Sequence, residues 1–247
     1  MIIKVRLFLT QEAVFLNYLK LSQTHYHHLS RVLRIKHGDV LDIIVDQDYK
    51  LVIRFLMFKD TCLYYDIISK ETIEVRYPQV TLFQSLPKQD KFMSIIDGVT
   101  QCGVTEIYPI ITDRSLFKIK YEKLLEKVSR WQKQAEQSAM QSKQIIIPKV
   151  HSALSFESFL KLDIFSSYDI CIVAWECEVV NTLKSVFSKQ TKFKKIGIFI
   201  GPEGGLSSAD IDYLKSKDFK IISIGSTILR VEIAAVVAVT QILFFYL

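Results

Sequence analysis

Residues Ile196–Ala235, IGIFIGPEGGLSSADIDYLKSKDFKIISIGSTILRVEIAA, decide the fold. The segment holds two apolar β-type runs, Ile196–Ile200 and Ile221–Ile224, each ending in a glycine-bearing turn. The turns read Gly201-Pro202-Glu203-Gly204-Gly205 and Gly225-Ser226-Thr227, and a helix-like stretch follows each. Strand, glycine turn and helix in succession predict an open α/β sheet, in which ligands bind beyond the carboxyl ends of the strands. Two such turns, expected at neighbouring strand ends, predict one pocket. Glycine lacks Cβ, so backbone N–H and C=O groups can close on a ligand there.

The alternation continues outward from this segment. Val80–Ser85, Glu106–Ile111 and Asp169–Ala174 read as strands. Asp90–Cys102, a long stretch from about Tyr121 to Gln144, and Val231–Tyr246 read as helices. Strands and helices in turn imply a largely parallel sheet covered on both faces. In the long helix Leu124, Val128, Trp131, Ala135 and Ala139 recur at helical spacing and should face the core. Lys123, Lys127 and Arg130 form another stripe, read as a solvated face. Residues 1–70 differ: Ile2–Phe8, Val40–Val45, Lys50–Met57 and Leu63–Ile68 are β-type runs around a short helical segment, His25–Ile35. The pattern changes near Ser69–Pro78, which predicts two domains, 1–72 and 73–247.

Composition narrows the function. With 247 residues, 49% of them hydrophobic, the chain can bury one large or two modest cores. A formal charge of +6 permits a polyanionic partner without requiring one. Cys62, Cys102, Cys171 and Cys177 form no CxxC pair, which favours reduced, mostly buried thiols in a cytoplasmic protein. The run Ile233–Leu247 is shorter than the ~20 apolar residues of a spanning helix and contains Thr240 and Gln241. A helix apolar all round belongs in a core or a subunit interface, so no membrane is expected. Neither GxGxxG nor a GKS or GKT loop is present, which weighs against a phosphate-cradling nucleotide site.

GPEGGLS followed by IGSTILRVEIAA closely resembles the C-terminal signature of the SPOUT class of RNA methyltransferases. Within that class it is similar to the RsmE family, whose pattern is GPEGG, then LG-x-x-ILR-x-ETA. Ile224 stands at the Leu of that pattern and Ile233 at its Thr. His27–Asp39, HHLSRVLRIKHGD, resembles the family's HHL-x-x-VLR-x-x-x-GD, part of a PUA-like RNA-binding β-barrel. Lys91, Gly103-Val104, Thr112-Asp113-Arg114-Ser115, Trp131-Gln132-Lys133, Gln141-Ser142 and Pro148 match further family positions. Two stretches depart from it. The family's K-A-T-E-L-G-V becomes Gly98-Val99-Thr100-Gln101-Cys102-Gly103-Val104, and its E-Q-S-x-R becomes Met140-Gln141-Ser142-Lys143-Gln144.

The resemblance implies an α/β trefoil-knot methyltransferase domain behind a small PUA-like barrel. It implies methyl transfer from S-adenosylmethionine to N3 of a uridine in 16S ribosomal RNA of the small ribosomal subunit. Ile200, Gly201, Glu203 and Gly205 would form one wall of the cofactor site. Ile224, Gly225, Ile228, Leu229 and Arg230 would form the other. Arg31, Arg34, Lys36, Lys91, Arg114 and Gln141 would contact RNA, Arg through a planar fork suited to phosphate or base edges. Uridine N3 must lose its proton, so Arg230 and Glu232 are the catalytic candidates. Arg230 would stabilise charge, while Glu232 would take the proton, fix Arg230 or serve as a helix-start carboxylate. The family pattern already contains histidines here, so the cluster His25, His27 and His28 implies no metal. A homodimer through the knot and C-terminal helix is implied too. The alternatives are a SPOUT enzyme acting on tRNA or 23S rRNA, and a catalytically weak RNA-binding relative.

Overall fold

The computed structural model describes residues 3–74, 78–88, 91–115, 122–188 and 192–246, with residues 3, 4 and 122–125 described by backbone alone. The predicted element ends Ile2, Asp90 and Tyr121, and the side chains of Lys123 and Leu124, lie outside the described residues. The chain divides into two compact units, Met1–Val75 with Ala139–Ile146, and Arg76–Ser138 with Ile147–Leu247.

The first unit contains β1 (Ile3–Leu9), β2 (Tyr18–Lys20), α1 (Gln23–His27), β3 (Val40–Val45), β4 (Tyr49–Lys59) and β5 (Cys62–Thr72). The strands form one sheet in the order β1-β3-β4-β5-β2, parallel only between β1 and β3. The sheet ends at β2, three residues long, and is half of a barrel rather than a closed one. Leu7, Leu19, Leu29, Ile43, Ile53 and Leu63 fill its core. The predicted helical segment is instead α1 followed by a π-helical turn, His28–Val32, and it stops before Arg34, whose φ is 48°. Arg6 is buried and pairs with Asp42 at 2.5 Å. Its guanidinium also donates to the carbonyls of Lys143 and Gln144, which offsets the cost of burying the charge, while Arg6 Nε and Asp42 Oδ1 have no partner among the described residues.

In the second unit come β6 (Gln79–Ser85), α2 (Lys91–Cys102), β7 (Glu106–Ile111) and α3 (Glu122–Ser142), the last continuing into the first unit. There follow β8 (Lys149–Val150), β9 (Leu154–Ser155), α4 (Phe156–Leu160), β10 (Ile170–Ala174) and α5 (Leu183–Phe187). β11 (Lys195–Ile200), α6 (Ser208–Ser216), β12 (Lys220–Ile222) and α7 (Val231–Phe244) complete the chain. The sheet runs β12-β10-β11-β6-β7-β8, with β9 also on β7, and every pairing is parallel. Successive strand residues point to opposite faces. Leu82, Ile172 and Ile198 therefore join one core with α2 and α7, while Phe83, Val173 and Phe199 join another with α4 and α6.

Two expectations change, and the departures from the family pattern gain a physical reading. The strands before the two bends are not neighbours, because β10 lies between β11 and β12 and adds its own end to the crevice. Of the four thiols only Cys171 is fully buried, which pushes it up to about 12, and Cys177 is exposed. The departures from the family pattern carry packing: a Cβ on Gly98 would lie 2.6 Å from Val236 Cγ2 of α7, and Met140 packs on the core of the first unit. On the long helix Trp131, Ala135 and Ala139 are buried as the spacing predicts. α7 buries Val231, Ala235, Ala238, Val239 and Ile242 but leaves Ile233 and Phe244 exposed. Among the described residues no helix is long and apolar enough to cross a membrane.

Candidate active site

The first bend leaves β11 at Ile200 and ends where Ser207 caps α6. The Ser207 hydroxyl accepts from the Asp210 N–H, and the Asp210 carboxylate accepts from the Ser207 N–H at 2.8 Å. Such a reciprocal cap fixes where a helix starts. Between these points other elements brace the loop. The Glu203 carboxylate accepts from the Lys88 N–H at 3.2 Å and pairs with Lys91 Nζ at 3.0 Å. Burial pushes Glu203 up, yet its own N–H, Lys91 and the Lys88 N–H outweigh this and hold it below its ordinary value. Arg114 Nη1 donates to the Gly204 carbonyl at 3.1 Å. Gln84, fully buried at the end of β6, donates to the Ser85 carbonyl at 2.9 Å and, at 3.4 Å, to that of Ile200. Gly205 has φ +69°, where an L side chain is strained, and a Cβ there would collide with Glu176 Oε1.

The second bend runs from Ser223 to Arg230, the residue that precedes α7. The Ser223 N–H donates to the Asn181 carbonyl at 2.7 Å and its hydroxyl to the Gly225 carbonyl at 2.9 Å. Gln241 Nε2, from α7, donates to the Ile224 carbonyl at 2.9 Å. Open space surrounds the position a Gly225 Cβ would take.

The two bends enclose a cavity of about 310 Å³ at the carboxyl ends of β10 and β11. Ile200, Gly201, Glu203 and Gly205 line it from the first bend, and Ile224, Ile228 and Leu229 from the second. Two other residues assigned from sequence lie elsewhere. Gly225 lines an adjoining cavity of about 460 Å³ that also contains Trp175 and Thr182. Arg230 is exposed at the start of α7. Glu232 sits in the first turn of that helix, with Oε2 buried and without a hydrogen-bond partner. Sequence reasoning missed Glu176, which lines both cavities from just beyond β10, and also missed Gln84 and Gln241. Polar side chains in otherwise apolar elements were the available signal for the last two.

Of the six residues assigned to RNA, Lys91 and Arg114 brace the first bend. Arg31, Arg34, Lys36 and Gln141 are accessible in the first unit, Arg34 with Nε 3.3 Å from the Arg31 carbonyl. The nearby acids have other partners: Asp42 pairs with Arg6, and Asp39 accepts from the Lys36 N–H at 2.6 Å. Among the described residues no group of three His, Cys, Asp or Glu side chains is placed to hold a metal ion.

This geometry agrees with what the chain is similar to. Residues 75–243 match the family model of the RNA methyltransferase domain. Ribosomal RNA small subunit methyltransferase E of Rickettsia conorii is 30% identical, over 90% of this chain and 87% of its own length. Ribosomal RNA small subunit methyltransferase E 2 of Borreliella burgdorferi is 28% identical, over 85% and 84%. The crystal structure of the Neisseria gonorrhoeae enzyme of that name, bound to S-adenosylmethionine, superposes with a TM-score of 0.82 at 20% identity, covering 97% of both chains. The chain belongs to the ribosomal RNA small subunit methyltransferase E family of RNA methyltransferases.

Proposed function

We propose that this protein transfers the methyl group of S-adenosylmethionine to N3 of a uridine in 16S ribosomal RNA of the small ribosomal subunit. The observation that carries the reading is the cavity between the two glycine bends. Its volume falls in the range of small-molecule sites, roughly 300–1,000 Å³. Its lining fits the cofactor's chemistry: Ile200, Ile224, Ile228 and Leu229 offer apolar surface to an adenine. Gly201 and Gly205 present backbone, and Glu176, also in the lining, supplies a carboxylate suited to a ligand that carries positive charge. When bound, S-adenosylmethionine supplies an electrophilic methyl on a sulfonium centre.

The chain's residues then have distinct tasks. The braced first bend keeps its backbone groups in place before anything binds, which lowers the cost of organising the site. Glu232 is the candidate for taking the N3 proton, because a buried carboxylate oxygen without a partner is an acceptor in waiting. Arg230, exposed beside it in sequence, would offset charge that spreads onto the uracil oxygens. Arg31, Arg34, Lys36 and Gln141 would hold the RNA backbone, and Lys91 and Arg114 would act mainly by shaping the bend.

The same reading takes the first unit as a PUA-like RNA-binding domain, the second as a knotted SPOUT domain, and the setting as the cytoplasm. A homodimer through α7 is supported by exposed Ile233 and Phe244 and by an apolar groove of about 610 Å³ lined by Val236, Val237, Phe244 and Phe245. The test is mass spectrometry of small-subunit RNA from cells lacking the protein. Loss of a single 3-methyluridine is expected. An unchanged 16S RNA with methyl missing only from tRNA would overturn the assignment.

A further inference from the structure

The outward face of the first unit's sheet carries a row of rings that the cavity chemistry does not use. Tyr18 on β2 lies opposite Tyr64 on β5, and Tyr64 lies opposite Met57 on β4. The Tyr18 and Tyr64 ring centroids are 5.6 Å apart. A tight hairpin, closed by the Phe15 N–H donating to the Tyr18 carbonyl at 3.0 Å, lays Phe15 flat on Tyr18. Their centroids are 4.5 Å apart and their planes differ by 8°. Leu16 at the hairpin tip is 92% exposed, and Phe15 and Met57 are exposed as well. Neighbouring inward residues Leu19, Leu63 and Tyr65 fill the core, so the row is the solvent side of a well-packed sheet.

Two exposed lysines stand directly beside the row. Lys20, Cys62 and Lys59 form the next cross-strand row on the same face, and both lysines are exposed. Asp66 on this face lies opposite Arg54. The row is also continuous with the basic loop singled out in the sequence. His37 Nδ1 is 3.1 Å from the Leu56 carbonyl, and the Gly38 N–H donates to the Phe55 carbonyl at 2.8 Å. This joins the Lys36 loop to β4 directly beside Met57.

We propose that Phe15, Tyr18 and Tyr64, rimmed by Lys20 and Lys59, form a platform on which unpaired bases of single-stranded RNA stack. Flat aromatic rings take any base by its π-face, and flanking lysines take the phosphates. The exposed Lys20 and Lys59 favour an anionic occupant over a second copy, whose own two lysines would repel them. The proposal rests on the RNA methyltransferase reading but concerns RNA capture, not methyl-donor binding.

The test is binding of a short, unstructured, fluorescein-labelled RNA, measured by anisotropy against a duplex of equal length. Phe15→Ala and Tyr64→Ser should each weaken single-strand binding about tenfold and leave duplex binding unchanged. Tyr64→Phe, which keeps the ring, should bind as the wild type does. Leu16→Ala, at a position with no part in the core, should weaken binding without changing the melting temperature. Lys20→Ala and Lys59→Ala should each reduce the salt slope of binding by about one. Calorimetric titration with S-adenosylmethionine on the same variants should show wild-type heats. Absence of heat in the wild type would count against the proposed function alone. Wild-type RNA affinity in Phe15→Ala and Leu16→Ala would overturn the platform. So would a change from dimer to monomer in sedimentation with RNA affinity intact, which would assign the face to a second copy.

Discussion

The first glycine bend is braced from four sides, by Lys91, the Lys88 N–H, Arg114 and Gln84, whereas the second is held by its own serine, Asn181 and Gln241. Gly205 in the first needs a left-handed φ and touches Glu176, while Gly225 in the second has open space around it. Two turns alike in sequence therefore differ physically. One is a pre-set wall, and the other is a wall free to adjust when something enters.

The largest effect expected from this contrast is at Gly205. Gly205→Ala forces an L residue into the left-handed region at about 1–2 kcal/mol and displaces Glu176. Chemical denaturation should show that loss, with S-adenosylmethionine affinity down about tenfold for each 1.4 kcal/mol. Gln241→Leu should come next, at about 1 kcal/mol, because it strips the donor from the Ile224 carbonyl while keeping the helix apolar. If the second wall is the adjustable one, this variant should lose less cofactor affinity than stability. Lys91→Ala should cost ~0.2–1 kcal/mol, since the pair with Glu203 is partly exposed. Its signature is in pH. Glu203 is held below its ordinary value, so its contribution is present above the unfolded value and lost as pH falls through the lower folded value. Thermal melts of Lys91→Ala should therefore show a shallower acid limb than those of the wild type. Gly225→Ala should be smallest, within about 0.5 kcal/mol in denaturation. A cost equal to that of Gly205→Ala would erase the contrast.

Much of this site was legible in the chain because it is local. GPEGG and IGSTILRVE are continuous, and six residues assigned from them, with Ile200 just before the first, do line the cavity. What was not legible is non-local. That β10 separates β11 from β12 depends on strand order, which residue patterns along one chain do not reveal, and so Glu176 went unread. The family resemblance assigns Lys91 and Arg114 to RNA, yet in the structure they reach toward Glu203 and Gly204. A lysine's charge is visible in sequence, but the carboxylate it meets is not. β2 was missed because three residues hold no periodicity, although Leu19 within it is fully buried.

The most direct test is a calorimetric titration of S-adenosylmethionine into the wild type and into Ala234→Phe, which places a ring in the cavity from the first turn of α7. Saturable one-to-one binding by the wild type, abolished in an Ala234→Phe variant that still unfolds cooperatively, is the predicted result. No heat from the wild type, or equal heat from the filled variant, would contradict it.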